Sequence, residues 1–364
     1  MKRTSREGCR AFTILELLVA TAVLALMVGV IAQLMGAASS SAALAERQLD
    51  RDAQARLAFG RMAVDFGQMG LMKNQEILLA KSARDPSGAG LNDKLFFYSA
   101  TPGAGAAPAS GAGAGSGVSL VAYRVHADAQ GPMGLERLAK GLAWHDPASG
   151  SGPRGISFLT YPLATGTIFS ATPAIQSTML GRWPATMGDA PDYHGADPDF
   201  RALCENVFRL EFCFQLKDGT VSNYPVAKPA GITNRLDASS DPGISDDSEQ
   251  GYTSGSRWFN ERDGRAFRCV SSQASAAVWE PVGFGEVASV IVSLAVFDAD
   301  TWKALPSRGG LTDALPDVTD DDLAMVPPVL PLVKWNAAIE SGAFASDAMK
   351  ARAARVYQRD FAIH

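Results

Sequence analysis

Residues 12–34 contain a single charge, Glu16. As a helix rising about 1.5 Å per residue, this run spans roughly 34 Å, enough to cross the hydrocarbon core of a bilayer. A carboxylate five residues into such a segment would cost about 3 kcal/mol at the bilayer centre, so its presence demands a partner or a terminal position. Lys2, Arg3, Arg6 and Arg10 against Glu7 give the first eleven residues +3, while the whole chain carries −5. Basic residues ahead of an apolar helix hold that end in the cytoplasm and send the C-terminal bulk across the membrane. That bulk exceeds 300 of the 364 residues, enough for one large or two ordinary domains. Its mild acidity argues against a general nucleic-acid surface.

Three readings fit the N-terminal region. A secretory signal has an apolar core of about 7–15 residues, and residues 37–42 (AASSSA) offer a small-residue cleavage site. The longer run and Glu16 speak against it. A plain signal anchor accounts for the length but not for the glutamate. The third reading rests on Ala11, Phe12, Thr13, Ile14, Leu15, Glu16, Leu17, Leu18, Val19 and Ala20 behind a short basic leader. This pattern resembles the type IV prepilin signature. The resemblance implies that residues 1–11 are a leader. A membrane aspartyl peptidase would cut between Ala11 and Phe12 and methylate the new amine of Phe12. The family usually has glycine before the cut, so Ala11 is a small departure. In this reading Phe12 and Glu16 are assembly residues. The carboxylate lies one helical turn from the new amine and compensates it, or that of a neighbouring subunit. It also sits at the positive end of the helix dipole.

Past Gly36 the pattern turns amphipathic. Ala55, Phe59, Met62, Phe66 and Met69 recur every three or four residues, which predicts that the helix continues through residues 35–75, ending near Met69. Residues 39–41 and Gly60 are points where it could bend. Strands are expected at residues 94–99, 118–126, 156–161, 207–216 and 287–297, with a last one at 355–363. Residues 135–144 read as a hairpin partner or a short helix. Residues 101–117, nearly all Gly, Ala, Pro and Ser, read as a flexible loop, and 162–203 as irregular. Asp218-Gly219 marks a hairpin turn. Residues 335–344 and 345–354 read as helical. This order is an α+β pattern. The prepilin resemblance implies a pilin-like fold, a long N-terminal helix packed on one antiparallel sheet within residues 92–364. The segments VFRLEF and RVYQRDF resemble large minor pilins and pseudopilins, in particular the Verru_Chthon cassette prepilin-like proteins.

Residues 237–283 stand apart as an inserted small β module on flexible arms. Gly255, Trp258, Asn260, Phe267, Cys269, Ala277 and Trp279 resemble short β modules of phage tail and fibre proteins. Trp258, Phe267 and Trp279 either fill a local core or form an adhesive surface. His126, His145, His194 and His364 are scattered, and no nucleophile, P-loop or Cys/His ligand spacing is present, so nothing announces an enzyme or a cofactor. Calcium would have only the acidic stretches 237–249 and 317–322, neither with EF-hand spacing. Cys204 and Cys213 are buried thiols or a pair.

These readings converge on a minor pilin or pseudopilin of a type IV pilus or type II secretion-like system. It would be a single-pass inner-membrane protein with its C-terminal domain in the periplasm. Its expected partners are prepilin peptidase and other pilin subunits, with no nucleic acid. The alternative is a membrane-anchored or surface-displayed binding protein that borrows a prepilin-like N-terminus.

Overall fold

The computed structural model describes residues 13–70, 77–81, 92–102, 118–126, 134–141, 200–261, 264–304, 314–342 and 354–363. The expectations for residues 101–117 (beyond Pro102), 156–161 and 345–353 lie outside these residues. The chain divides into two units, Met1–Asp50 and Arg51–His364. One helix, α1 (Ile14–Gly67), supplies the described part of the first unit and the start of the second. It runs without interruption through Ser39–Ser41 and Gly60. Ser40 Oγ donates to the carbonyl of Ala37 and spares the helix ladder. Gly60 lies on the exposed face, where no packing bends it.

Within the second unit α1 buries Ala55, Ala58, Phe59, Met62 and Phe66, one stripe at helical spacing. Phe66 stacks on Phe97 at 4.8 Å and meets Phe361 at 5.3 Å. Those rings belong to two different sheets. The first is antiparallel, in the order β1 (Leu78–Ala80), β2 (Lys94–Ser99), β3 (Ser119–His126), β4 (Gly134–Gly141) and β5 (Phe200–Glu205). The second pairs β13 (Arg355–Ala362), β12 (Val287–Val296), β6 (Val207–Leu216) and β7 (Val221–Ser222) in that order, also antiparallel. The third holds β11 (Val278–Pro281), β10 (Arg265–Ser271), β9 (Arg257–Asn260) and β8 (Arg235–Ala238), with β8 and β9 parallel. Three short helices, α2 (Ala299–Ala304), α3 (Asp320–Ala324) and α4 (Pro331–Glu340), follow β12.

The third sheet is the expected inserted module; the remaining strands form two antiparallel sheets where one was expected, and the irregular reading of residues 200–203 gives way to β5. The division falls at Asn206, whose φ of 62° turns the chain out of the first sheet and into the second. β6 and β12 are interior and buried on both faces. For β12 the apolar sequence predicts this. For β6 it does not, because Arg209 and Glu211 lie on its second face.

The edge of β6 opposite β12 is paired by β7 only at Phe214 and Gln215. Further along, Asn92 and Asp93 stand in for a strand. Asn92 accepts from Leu210 N at 2.7 Å and donates to Phe208 O at 3.0 Å. Asp93 accepts from Phe212 N at 2.8 Å, and its own amide donates to Leu210 O at 3.1 Å. Lys81 closes the arrangement, donating to Asp93 at 2.6 Å and to Phe212 O at 2.9 Å. Burial alone would lower the lysine pKa. Asp93 and Glu211 outweigh it and raise the value, so the ammonium persists. A buried edge with unpaired amides is costly, and these side chains satisfy it while joining the two sheets.

Candidate functional site

Thr13 caps α1, its Oγ1 accepting from Glu16 N at 3.3 Å. Thr13 and Glu16 therefore occupy the ends of a Thr-x-x-Glu capping-box sequence, a local role for the glutamate's position that the charge argument missed. Thr13→Val should lower stability at the helix start by about 1 kcal/mol, read as faster amide exchange at Glu16 and Leu17. Unchanged exchange would show that the cap is idle. Ala11 and Phe12, the expected cleavage and methylation residues, lie outside the described residues.

Every described residue from 13 to 50 is exposed within the chain. Between Ile14 and Met35 this surface includes leucines, valines, isoleucines and methionines on all sides of the helix, and Glu16 is its one charge. By length and composition α1 is able to cross a membrane. A helix that is apolar all round is stable only when its surroundings are apolar, whether lipid or other helices.

The second half of α1 is fastened by a carboxylate inside its apolar stripe. Asp65 is fully buried and takes a bidentate pair from Arg137 of β4 at 2.6 and 2.8 Å. It also accepts from Tyr123 OH at 2.5 Å and pairs with Arg61 at 3.1 Å. Burial, then the Asp65 charge, push the Tyr123 phenol well above its ordinary pKa, so it stays a donor. Toward the other sheet, Tyr357 OH donates to Asp52 at 2.6 Å. The one sequence signal for this anchor was an aspartate between Met62, Phe66 and Met69.

Trp258, Phe267 and Trp279 do not form a surface. They are 2%, 1% and 3% exposed and share a core with Ala238, Tyr252, Cys269 and Ala277. The indole N–H groups are spent internally, Trp258 on Ser240 O at 2.8 Å and Trp279 on Asp246 O at 3.0 Å. The remaining residues of the pattern serve the same core. Gly255, at φ 97°, donates to Cys269 O, and Asn260 Nδ2 donates to Asp241 at 2.7 Å. Strand alternation turns Phe259 and Ala266 the other way, into the main core, where Phe259 meets Tyr224 at 4.6 Å. One face of the module is built into the domain and the other closes over the module's own core, with β8 and a capped 3-10 turn at residues 248–250 in the stretch that leads into it. Gly264 fixes its inner end. A Cβ there would fall 2.6 Å from Leu79 O, and its φ of 67° is one that side-chain-bearing residues rarely adopt.

The two acidic stretches are occupied by protein partners. Asp241 pairs with Arg265, and Asp247 accepts from Glu249 N and Ser275 N. Asp317 pairs with Arg209, and Asp320 accepts from Asn223. Asp322 completes a capping box with Thr319 and pairs with Lys334 at 2.6 Å. These bonds outweigh the effect of burial and hold Asp322 down at about 2. Among the described residues no group of three His, Cys, Asp or Glu side chains is placed to hold a metal ion. Cys204, Cys213 and Cys269 are free, buried thiols, so Cys204 and Cys213 do not pair. Burial pushes Cys204 up to about 12. His145, His194 and His364 lie outside the described residues, and His126 ends β3.

No protein-family model and no curated protein sequence matches the chain. Among solved structures it is similar to a type IV-like pilin from Thermus thermophilus. The match has 12% identity, covers 87% of this chain and 94% of that one, and has a TM-score of 0.24. The α+β layout, one long N-terminal helix followed by mainly antiparallel sheets, is established by the chain's own strand pairings.

Proposed function

We propose that the chain is a minor pilin or pseudopilin subunit whose work is assembly rather than catalysis. It would insert with its basic leader in the cytoplasm, leaving the rest of the chain in the periplasm, anchored by a single pass in the inner membrane. Prepilin peptidase would cut between Ala11 and Phe12 and methylate Phe12. The 12–34 segment would then pack laterally in a type IV pilus or type II secretion-like pseudopilus, with Glu16 compensating the Phe12 amine. The bulky domain fits a tip or low-abundance position, since a filament repeat would have to accommodate it at every turn. One observation carries this reading. α1 is a single helix whose first half is apolar on every side with one carboxylate in its first turn, and whose second half belongs to the core of the folded domain. A removable signal would not be continuous with that core.

The alternative, a surface-displayed adhesion protein with a borrowed N-terminus, drew on the aromatic module as a sticky face. Burial of Trp258, Phe267 and Trp279 withdraws that support. Mass spectrometry of the mature N-terminus tests the proposal. A chain beginning with N-methylphenylalanine at residue 12 is the expected result, and a start near Ala42 or an intact leader would overturn it.

A further inference from the structure

Residues 315–322 form a strap over the face of β6 that carries Arg209 and Glu211. The strap is tethered by side chains in succession. Leu315 O accepts from Arg209 Nε at 3.1 Å, Pro316 O from Trp335 Nε1 at 3.0 Å, and Asp317 O from Lys334 Nζ at 2.7 Å. Val318 O accepts from Asn223 Nδ2 at 3.0 Å. Val318 N donates to Glu211 Oε1 at 3.0 Å. Glu211 is fully buried, and its other oxygen, Oε2, has no hydrogen-bond partner.

The groups facing this carboxyl come from each element packed on it. Arg209 Nη2 of the same strand lies 3.6 Å away, Asp317 reaches in from the strap, and Lys81 and Asp93 flank it from the β6 edge. Cys213, next on the same face of β6, is a neutral thiol pushed up by burial. Both cations are already engaged, Lys81 with Asp93 and Arg209 with Asp317. The buried cluster is therefore neutral without Glu211, and ionising it adds one uncompensated charge.

We propose that Glu211 is a proton-operated latch, with the strap closed over a neutral carboxyl and opening to water as the carboxylate forms. The neutral acid keeps its acceptor for Val318 N, whereas the carboxylate leaves a charged oxygen unsolvated. Burial is the largest influence on this group. Partly offset by Lys81, it raises Glu211 from an ordinary 4.5 to about 7. Between those values the closed form holds a proton that the open form has lost. Stabilisation of the closed strap is thus complete below about 4.5 and is lost as pH rises through about 7. Opening would bare Leu315, Val318 and Trp335, all buried when it is closed.

Amide exchange of the full chain in detergent, corrected for intrinsic rates, reads the latch at Val318. Protection should fall by about tenfold per pH unit between pH 5 and 7 and level off above. Glu211→Gln keeps the acceptor and cannot ionise, so its protection should stay flat at the low-pH value, with β12 amides unchanged as the control for folding. Flat protection in the natural protein, or the same slope in the Gln variant, would overturn the proposal. If Glu211→Gln fails to fold, the carboxyl carbon-13 shift of Glu211 decides. A midpoint near 7 supports the latch, and one at or below 5 refutes it.

Discussion

Asp65→Ala is expected to cost the domain about 3–5 kcal/mol, a large share of the 5–15 kcal/mol that typically separates folded from unfolded chains. The loss comes less from the missing contacts than from what they leave behind. Arg137 would keep a largely buried guanidinium with its bidentate partner gone, and Tyr123 a buried hydroxyl with no acceptor. These groups join α1 to β3 and β4, so the damage should concentrate where the helix meets the first sheet. Urea unfolding of the full chain in detergent measures the total, and amide exchange in β3 and α1 locates it. Asp65→Asn retains an acceptor and the shape, and should lose less. A change within 0.5 kcal/mol for the alanine variant would mean that the packing of Phe66 on Phe97 and Phe361 suffices as the anchor.

Glu16→Val should leave membrane insertion intact and reduce incorporation into sheared filaments roughly tenfold or more, the equivalent of about 1.4 kcal/mol or greater. Insertion survives because the substitution removes the one residue that lipid disfavours. Helix initiation survives too, since Thr13 caps the backbone amide of residue 16 whatever its side chain. What disappears is the carboxylate that would meet the Phe12 amine, so an effect on assembly alone isolates that pairing. Carbonate extraction and immunoblotting of sheared fractions separate the two outcomes. Assembly at the natural level would remove the amine-pairing role from Glu16, even if Phe12 proves to be methylated.

Much of this protein is legible along the chain because the relevant interactions are local. The apolar run around Glu16, the three-four spacing from Ala55 to Met69, and the alternation in residues 207–216 each follow from the geometry of one element. The Asp218-Gly219 turn is similar. Gly219 takes a φ of 89°, and Asp218, its pKa lowered by the Thr220 hydroxyl and amide, ties the turn together. The module pattern was also visible as a pattern. Whether Trp258 and Trp279 faced inward was not, because that depends on Asp246 and Ser240, which the sequence presents as part of a polar loop.

By itself the sequence determined a membrane-length helix with one charge in its first turn, its amphipathic continuation, and an α+β domain beyond it. Only the tertiary structure decided that the strands form three sheets, that the aromatic module is a closed core, and that Asp65, Asp93 and Glu211 lie inside the protein. The reason is physical. Periodicity records which face of an element is apolar, whereas a buried charge is tolerable only through partners distant in the chain, such as Arg137 for Asp65 or Lys81 for Asp93. The chain passes from β5 to β6 at Asn206, where φ is 62°, a turn that hydrophobic pattern does not encode. The helix begun at Thr13 is therefore readable from its own residues, and the anchor that holds its far half at Asp65 is not.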